Sequence, residues 1–282
     1  MPELPEVEIT ARLIGAAVGG ARVESTLAPG VNALKTFDPP LHALDGTRLT
    51  GVSRRGKQLA ISSDGGLVLL VHLMSAGRLQ LFDRRAGLRD RTSRVLLRLE
   101  GGRELRLREF GTRQRAWAKL LRAGELDDEE SVATLGPEAW PDPPPFGPLL
   151  GGQPRPLHTL LRDQRVIAGI GRSWVDEILW EARLSPFKRG ADLSEEEAAT
   201  LRSVTVRVLG DAIACYEETL RLPLPDRLPL PLKVHRHEGE PCPRCGTRLE
   251  AVHFEDYVIA YCPACQTEGR VLKDRRLSRL LK

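Results

Sequence analysis

The sequence predicts an α+β protein: a β-sandwich or barrel preceded by one helix, then a helical segment, then a small cysteine module. Three observations carry this. Eight short strand-like segments, separated by Gly or Asp turns, fill residues 22–120. Beyond a proline-dense break the periodicity becomes helical. Two C-x-x-C pairs, with sixteen residues between them, stand near the C-terminus.

The elements follow in order. Glu6–Val18 places Val7, Ile9, Leu13, Ile14 and Val18 on a helical repeat that Gly19-Gly20 ends. Strand character then recurs at Arg22–Leu27, Arg48–Val52, Gln58–Ser62, Leu67–Leu73, Arg78–Phe82, Ser93–Leu99, Glu104–Arg108 and Arg113–Leu120. Asp64-Gly65-Gly66 and Glu100-Gly101-Gly102 read as hairpin turns. The prolines within Gly136–Pro156 mark a stiff linker. Leu157–Asp163, Ser173–Ala182 and Ser194–Tyr216 read as helices, the last opened by a Ser194/Glu197 capping box. Leu222–Leu232 is a proline-rich loop. The expected domains are 1–135, a linker at 136–156, a helical domain at 157–235, and the cysteine module with a basic tail at 236–282.

With 282 residues, 41% of them hydrophobic, the chain is long enough for two cores. No apolar run reaches membrane-spanning length and no secretory leader precedes the fold, so an intracellular, cytoplasmic protein with no membrane partner is expected. Net charge is only +4, but arginines crowd residues 84–122 and a basic cluster runs from Arg270 to Lys282, while acid gathers at 125–130 and 195–197. Local clusters in a near-balanced chain point to one cationic face and to nucleic acid as partner. A solvated arginine-rich sheet face explains the clusters equally well.

The chemistry sits at the two ends. The chain opens Met1-Pro2-Glu3-Leu4-Pro5-Glu6-Val7-Glu8. Removal of Met1 would leave proline's secondary amine, a nucleophile that forms an iminium ion on attacking a carbon with a leaving group. Glu3 and Glu6 lie within one helical turn of it, where proton transfer needs a carboxyl. Pro and Glu are also ordinary helix-start residues. At the other end Cys242, Cys245, Cys262 and Cys265 have the spacing of a closed, structural four-thiolate zinc site. Two disulfides or a redox dithiol are the rival readings. Cys215, inside a helical pattern, reads as a small buried apolar residue.

Four segments together resemble the bacterial formamidopyrimidine-DNA glycosylase and endonuclease VIII family of base-excision-repair enzymes. They are the PELPEVE start, Arg54-Arg55-Gly56-Lys57, Asp163–Gly171, and the four-cysteine finger. The start favours the formamidopyrimidine branch, with a divergent paralogue allowed. The resemblance implies a β-sandwich carrying the catalytic helix, and a helix–two-turns–helix domain with a zinc finger (one zinc per chain) across a DNA cleft. It implies a DNA glycosylase with abasic-site lyase activity on oxidised bases. Pro2 would attack C1′, Glu3 would shuttle protons, Glu6 would hold the hydrogen-bond network, and Lys57 would meet phosphate. The target nucleotide would be flipped out of double-stranded DNA. Phe110 would wedge into the gap, Arg108 would face the orphaned base, and Arg94 of the same basic region and Tyr257 of the finger would also bind DNA. Gly169, Gly171 and Arg172 would meet phosphate through open amides and a guanidinium. A monomer associated with bacterial DNA is expected. A non-catalytic damage-binding protein on the same fold is the main rival; a zinc-ribbon nucleic-acid module leaves the N-terminus unexplained.

The chain departs from the family pattern at four places. Arg172 replaces an Asn. Glu109 replaces an Arg and would face phosphate. Met74 is displaced by one position, which on a strand would turn it to the other face. Tyr257 replaces the finger Arg, and the loop at Arg221–Pro231 looks short. An uncharged phenol in place of a guanidinium predicts β-elimination faster than δ-elimination.

Overall fold

The structure is a computed structural model and describes residues 1–30, 32–87, 90–111, 113–254 and 257–272. It divides into two compact units, 1–134 with 213–229, and 135–212 with 230–282.

The first unit opens with α1 (Leu4–Val18). Leu4, Val7, Ile9, Ile14 and Val18 are fully buried, as the helical repeat requires. Eight strands follow: β1 (Val23–Leu27), β2 (Leu49–Arg55), β3 (Gln58–Ser63), β4 (Leu67–His72), β5 (Gly77–Phe82), β6 (Ser93–Leu99), β7 (Glu104–Glu109) and β8 (Trp117–Arg122). They form two four-stranded antiparallel sheets, ordered β1-β6-β7-β5 and β2-β3-β4-β8. One core gathers Ile61, Leu69 and Leu120 from the second sheet with Leu79, Leu97 and Leu107 from the first, together with Ile14 of α1. Of sandwich and barrel, the sandwich forms. Gly77 makes the tight entry into β5 possible, since a Cβ there would lie 2.3 Å from the Leu73 carbonyl oxygen.

The short helices α2 (Glu130–Ala133) and α3 (Phe146–Leu150) come next. The latter interrupts the stretch read as a plain linker, because Phe146 and Leu150 find a core to enter. In the second unit α4 (Leu157–Arg162) and α5 (Arg172–Glu181) flank the Asp163–Gly171 turn. Next, α6 (Glu195–Thr219) opens with the expected capping box: Glu197 N–H donates to Ser194 Oγ and Ser194 N–H to Glu197. Its last residues, from Ile213, count with the first unit, as does the loop to Pro229. The finger hairpin pairs β9 (Glu250–His253) with β10 (Val258–Tyr261), and α7 (Pro263–Gln266) carries its last cysteine. Among the described residues no helix is long and apolar enough to cross a membrane.

Two buried carboxylates of α5 pin the finger side of the second unit. Glu177 accepts the backbone N–H groups of Lys233, Val234 and His235 at 2.9–3.0 Å. Burial pushes its pKa up against those bonds. Asp176 accepts from Ala260 N–H at 3.1 Å and meets His235 Nδ1 at 2.7 Å. Losing either side chain would strand buried N–H groups, at about 1–3 kcal/mol each.

Candidate active site and metal centre

Pro2, Glu3 and Glu6 sit together, all buried, at the head of α1. Glu3 is the N-cap, and its N–H donates to Glu6 Oε2 at 2.8 Å. The other Glu6 oxygen, Oε1, accepts from the Tyr216 hydroxyl at 2.9 Å. Tyr216 stands at the end of α6, 210 residues away, and is fully buried with Ile9, Leu220 and Leu224. Burial first, and then the Glu6 charge, raise its pKa far above the phenol range, so it stays a donor. No spacing in the sequence links Tyr216 to this site. Pro2, Thr10, Leu73, Arg78, Leu224 and Leu228 are among the residues that line a small cavity.

Lys57 is only 7% exposed, on the β2–β3 turn that Gly56 makes with a φ of +55°. A buried ammonium is not the solvated charge that a basic turn usually carries. Burial, and secondarily Lys57, lower the pKa of His72 to about 4. His72 is therefore neutral at neutral pH, and its Nδ1 accepts the Met74 N–H at 2.9 Å. Met74 lies beyond the end of β4 with a φ of +49°. The face-flip argument thus does not apply to it, because it is on a turn and not on the strand.

The loop after β7 holds Phe110, the residue read as the wedge. Phe110 is 40% exposed, with the Arg108 guanidinium 4.6 Å from its ring centroid. Arg108 donates to Thr92 Oγ1, Gln80 Oε1 and Asp226 Oδ1 at 2.9–3.1 Å. Glu109, expected to face phosphate, is 3% exposed and points inward. Its Oε1 accepts the Arg115 and Ala116 N–H groups at 2.7 and 2.9 Å. Arg94 is equally enclosed. It donates to Gln114 Oε1 at 2.6 Å and faces Glu109 at 3.8 Å, and a Cβ on Gly30 would lie 2.6 Å from its Cζ. Arg94 and Glu109 therefore shape this loop from within. Other arginines of the cluster pair within the unit: Arg98 and Arg106 with buried Glu104, and at the surface Arg85 with Glu24 and Arg122 with Asp38. Arg89 and residues 273–282 lie outside the described residues.

In the second unit Gly169 takes a φ of +105°, which a side chain would strain. Its N–H, expected to be open, donates to Gln164 Oε1 at 3.0 Å, and Gln164 Nε2 donates to the Ile170 carbonyl at 2.8 Å. Gly169 thus gives the turn its shape, while Gly171 is the N-cap of α5 and Arg172 its first residue. Tyr257 stacks on Phe254 with centroids 4.5 Å apart. Two guanidiniums, of Arg162 and Arg172, lie 4.3 and 5.3 Å from its centroid. The position read as having lost its positive charge therefore has two cations beside it.

Cys242, Cys245, Cys262 and Cys265 present sulfurs all within 4.8 Å of one another, and none is disulfide-bonded. Neighbouring sulfurs stand 3.5–4.0 Å apart. A tetrahedron with Zn–S of about 2.3 Å spaces its sulfurs by about 3.8 Å. The donor set fits zinc, and four thiolates close its coordination. Trp180 Nε1–H donates to Cys242 Sγ at 3.4 Å, the outer bond that thiolate ligands favour. Cys215 is half-buried in α6, apart from this group.

Comparison with known proteins agrees along most of the chain. Residues 1–114 match the model of the formamidopyrimidine-DNA glycosylase N-terminal domain, and residues 146–223 that of its H2TH domain. Residues 239–267 match the zinc finger found in FPG and IleRS. The formamidopyrimidine-DNA glycosylase of Moorella thermoacetica is 36% identical over 269 residues, covering 89% of this chain and 94% of that one. The chain belongs to the formamidopyrimidine-DNA glycosylase family. The crystal structure of MutM (Fpg) from Thermus thermophilus superposes with a TM-score of 0.81 at 33% identity, covering 95% of this chain and all of that one. That of Lactococcus lactis Fpg, in complex with N7-benzyl-Fapy-dG DNA, gives 0.84 at 25% identity, covering 94% and 100%.

Within this formamidopyrimidine-DNA glycosylase fold, Pro2, Glu3 and Glu6 come together as expected, Phe110 is exposed, and the four cysteines converge. Sequence reasoning missed Tyr216, Gln164 and Arg162, whose partners are set by folding.

Proposed function

We propose that this protein is a DNA glycosylase with abasic-site lyase activity, acting on oxidised bases in double-stranded DNA through its N-terminal proline. The observation that carries the reading is the buried Pro2–Glu3–Glu6 cluster, fixed through Tyr216. Mere DNA binding needs no such group. Relatives named as glycosylases, and a Lactococcus homologue bound to lesion-containing DNA, support the substrate class.

After Met1 is removed, the Pro2 nitrogen attacks C1′, the C1′–base bond breaks, and the proton that the Pro2 nitrogen loses passes to the leaving base. Glu3, as an acid, protonates the ring oxygen as the sugar opens, which leaves an iminium at C1′. Glu3, now a carboxylate, takes a C2′ proton, and the 3′ phosphate is expelled by β-elimination. Expulsion of the 5′ phosphate follows by δ-elimination, and water hydrolyses the iminium to release Pro2. Lys57 balances phosphate charge. Tyr257 carries no charge at the finger position, so β-elimination is expected to outpace δ-elimination, with Arg162 and Arg172 beside its ring lessening the handicap. One zinc per chain holds the finger, Arg108 and Phe110 fill the vacated stack, and the protein works as a monomer.

Borohydride trapping tests this. A covalent adduct on an abasic duplex, mapped to the N-terminal peptide and abolished by an N-terminal tag, is the expected result. A tagged protein that traps as well as the untagged one refutes Pro2 as nucleophile. Binding without any trapping would instead identify a non-catalytic damage-binding protein.

A further inference from the structure

The loop that follows α6 is fastened to the first sheet through Asp226. Its Oδ1 accepts from Arg108 Nη1 and from Gln80 Nε2, both at 3.1 Å, and its carbonyl accepts from Arg78 Nε at 2.8 Å. Gln80, 2% exposed on β5, also donates to the Leu224 carbonyl at 2.5 Å, and its Oε1 accepts from Arg108 Nη1 at 3.0 Å. Leu224, Pro225 and Leu228 of the same loop line the small cavity that Pro2 and Arg78 also line. One short loop therefore reaches from the surroundings of Pro2 to the guanidinium beside Phe110.

This fastening decides which part of Arg108 stays open. A guanidinium only donates, through Nε and two Nη groups. Nε is used by Thr92 Oγ1 at 2.9 Å, and both Nη1 hydrogens are used by Gln80 and Asp226. Among the described residues nothing accepts from Nη2. The Arg108 side chain is 17% exposed, and its Cζ lies 4.6 Å from the Phe110 centroid and 5.5 Å from that of Phe82. Three acceptors thus hold the group, which lowers the entropy lost when it meets a ligand. The carboxylate beside it offsets its charge, so Arg108 offers directed donors more than net charge. Two N–H groups on one nitrogen suit a base edge with neighbouring acceptors. Cytosine has such an edge in N3 and O2, whereas adenine sets an amino donor beside N1.

We propose that Asp226 is a positioning residue for Arg108: it holds Nη1 so that Nη2 alone is left to read the base opposite the lesion, and it thereby sets a preference for cytosine there. This rests on Arg108 entering the vacated stack, as proposed above. The loop that borders the Pro2 cavity then also governs the reading of the other strand.

The test is the affinity of full-length, zinc-loaded protein for duplexes carrying a tetrahydrofuran abasic analogue that is not cleaved, placed opposite cytosine or opposite adenine. The unaltered protein should favour cytosine by roughly fivefold or more, and Arg108→Ala should bring that ratio down to about 1. Asp226→Ala should lose the ratio as Arg108→Ala does, with affinity for the adenine duplex within about twofold of the unaltered value. Asp226→Asn keeps an oxygen acceptor for Arg108 and Gln80, so it should keep the ratio. The Asp226 side chain is 57% exposed, so both variants should fold, which circular dichroism checks. An unaltered protein without preference, or an equal loss of affinity on both duplexes in Asp226→Ala, overturns the assignment. So does Asp226→Asn if it loses the ratio as completely as Asp226→Ala. The two readings fail separately. Arg108→Ala with the ratio intact refutes Arg108 as the reader, whereas a ratio lost in Arg108→Ala and kept in Asp226→Ala refutes the role of Asp226 only.

Discussion

Tyr216→Phe isolates the bond that anchors the proposed catalytic cluster. The substitution keeps the ring among Ile9, Leu220 and Leu224, so packing is retained, and it removes only the donor to Glu6 Oε1 at 2.9 Å. Both groups are buried, and a hydrogen bond to a buried carboxylate contributes about 1.5–3 kcal/mol. If Glu6 must hold its position in the transition state, that energy corresponds to roughly one to two decades in rate. The assay is single-turnover borohydride trapping on an abasic duplex, alongside affinity for the uncleaved tetrahydrofuran duplex. The expected result is a rate reduced roughly 10- to 100-fold, with affinity changed less than about twofold. Urea unfolding should show how much of the same energy appears as lost stability. A trapping rate within about twofold of the unaltered protein refutes the reasoning. So does a loss fully matched by weaker binding, because the bond would then serve folding or docking and not the chemistry.

Metal analysis should give one zinc per chain, and replacing any one of Cys242, Cys245, Cys262 or Cys265 by Ser should abolish it and weaken DNA binding, with the N-terminal unit still folded. More than one zinc in the intact protein would contradict the assignment. His72 has a folded pKa of about 4, below its ordinary 6.5, so the unfolded chain binds the extra proton between those values. Its contribution to stability is therefore full above pH 6.5 and is lost as pH falls toward 4. Unfolding in urea across that window should show a steeper loss for the unaltered protein than for His72→Asn; equal slopes would show that His72 does not titrate there. Glu109→Gln removes the charge that faces Arg94 and accepts two backbone N–H groups, so it should loosen the Phe110 loop. Faster amide exchange at Arg115 and Ala116 is expected, and unchanged protection would count against that role.

Much of the architecture can be read locally. The short apolar runs in Gln58–Ser63 and Leu67–His72, the turn at Asp64-Gly65-Gly66 and the helical repeat of α1 depend on near neighbours in the chain. The C-x-x-C spacing likewise specifies a four-thiolate site before any fold is known, because each pair needs only its own turn. A proline followed by two carboxylates suggests an amine nucleophile by residue type, although the same residues also suit an ordinary helix start. What the sequence could not supply is the partner each side chain meets. Glu109 read as a charge facing phosphate, yet it turns inward to hold Arg115 and Ala116. Gly169 read as an open amide, yet Gln164 occupies it. Tyr257 read as a lost charge, yet two helices bring Arg162 and Arg172 to its ring, and α6 brings Tyr216 to Glu6 across 210 residues. Periodicity and spacing are properties of neighbouring residues. Burial, pairing and charge placement come from packing between segments distant in the chain, and only the tertiary structure decides them.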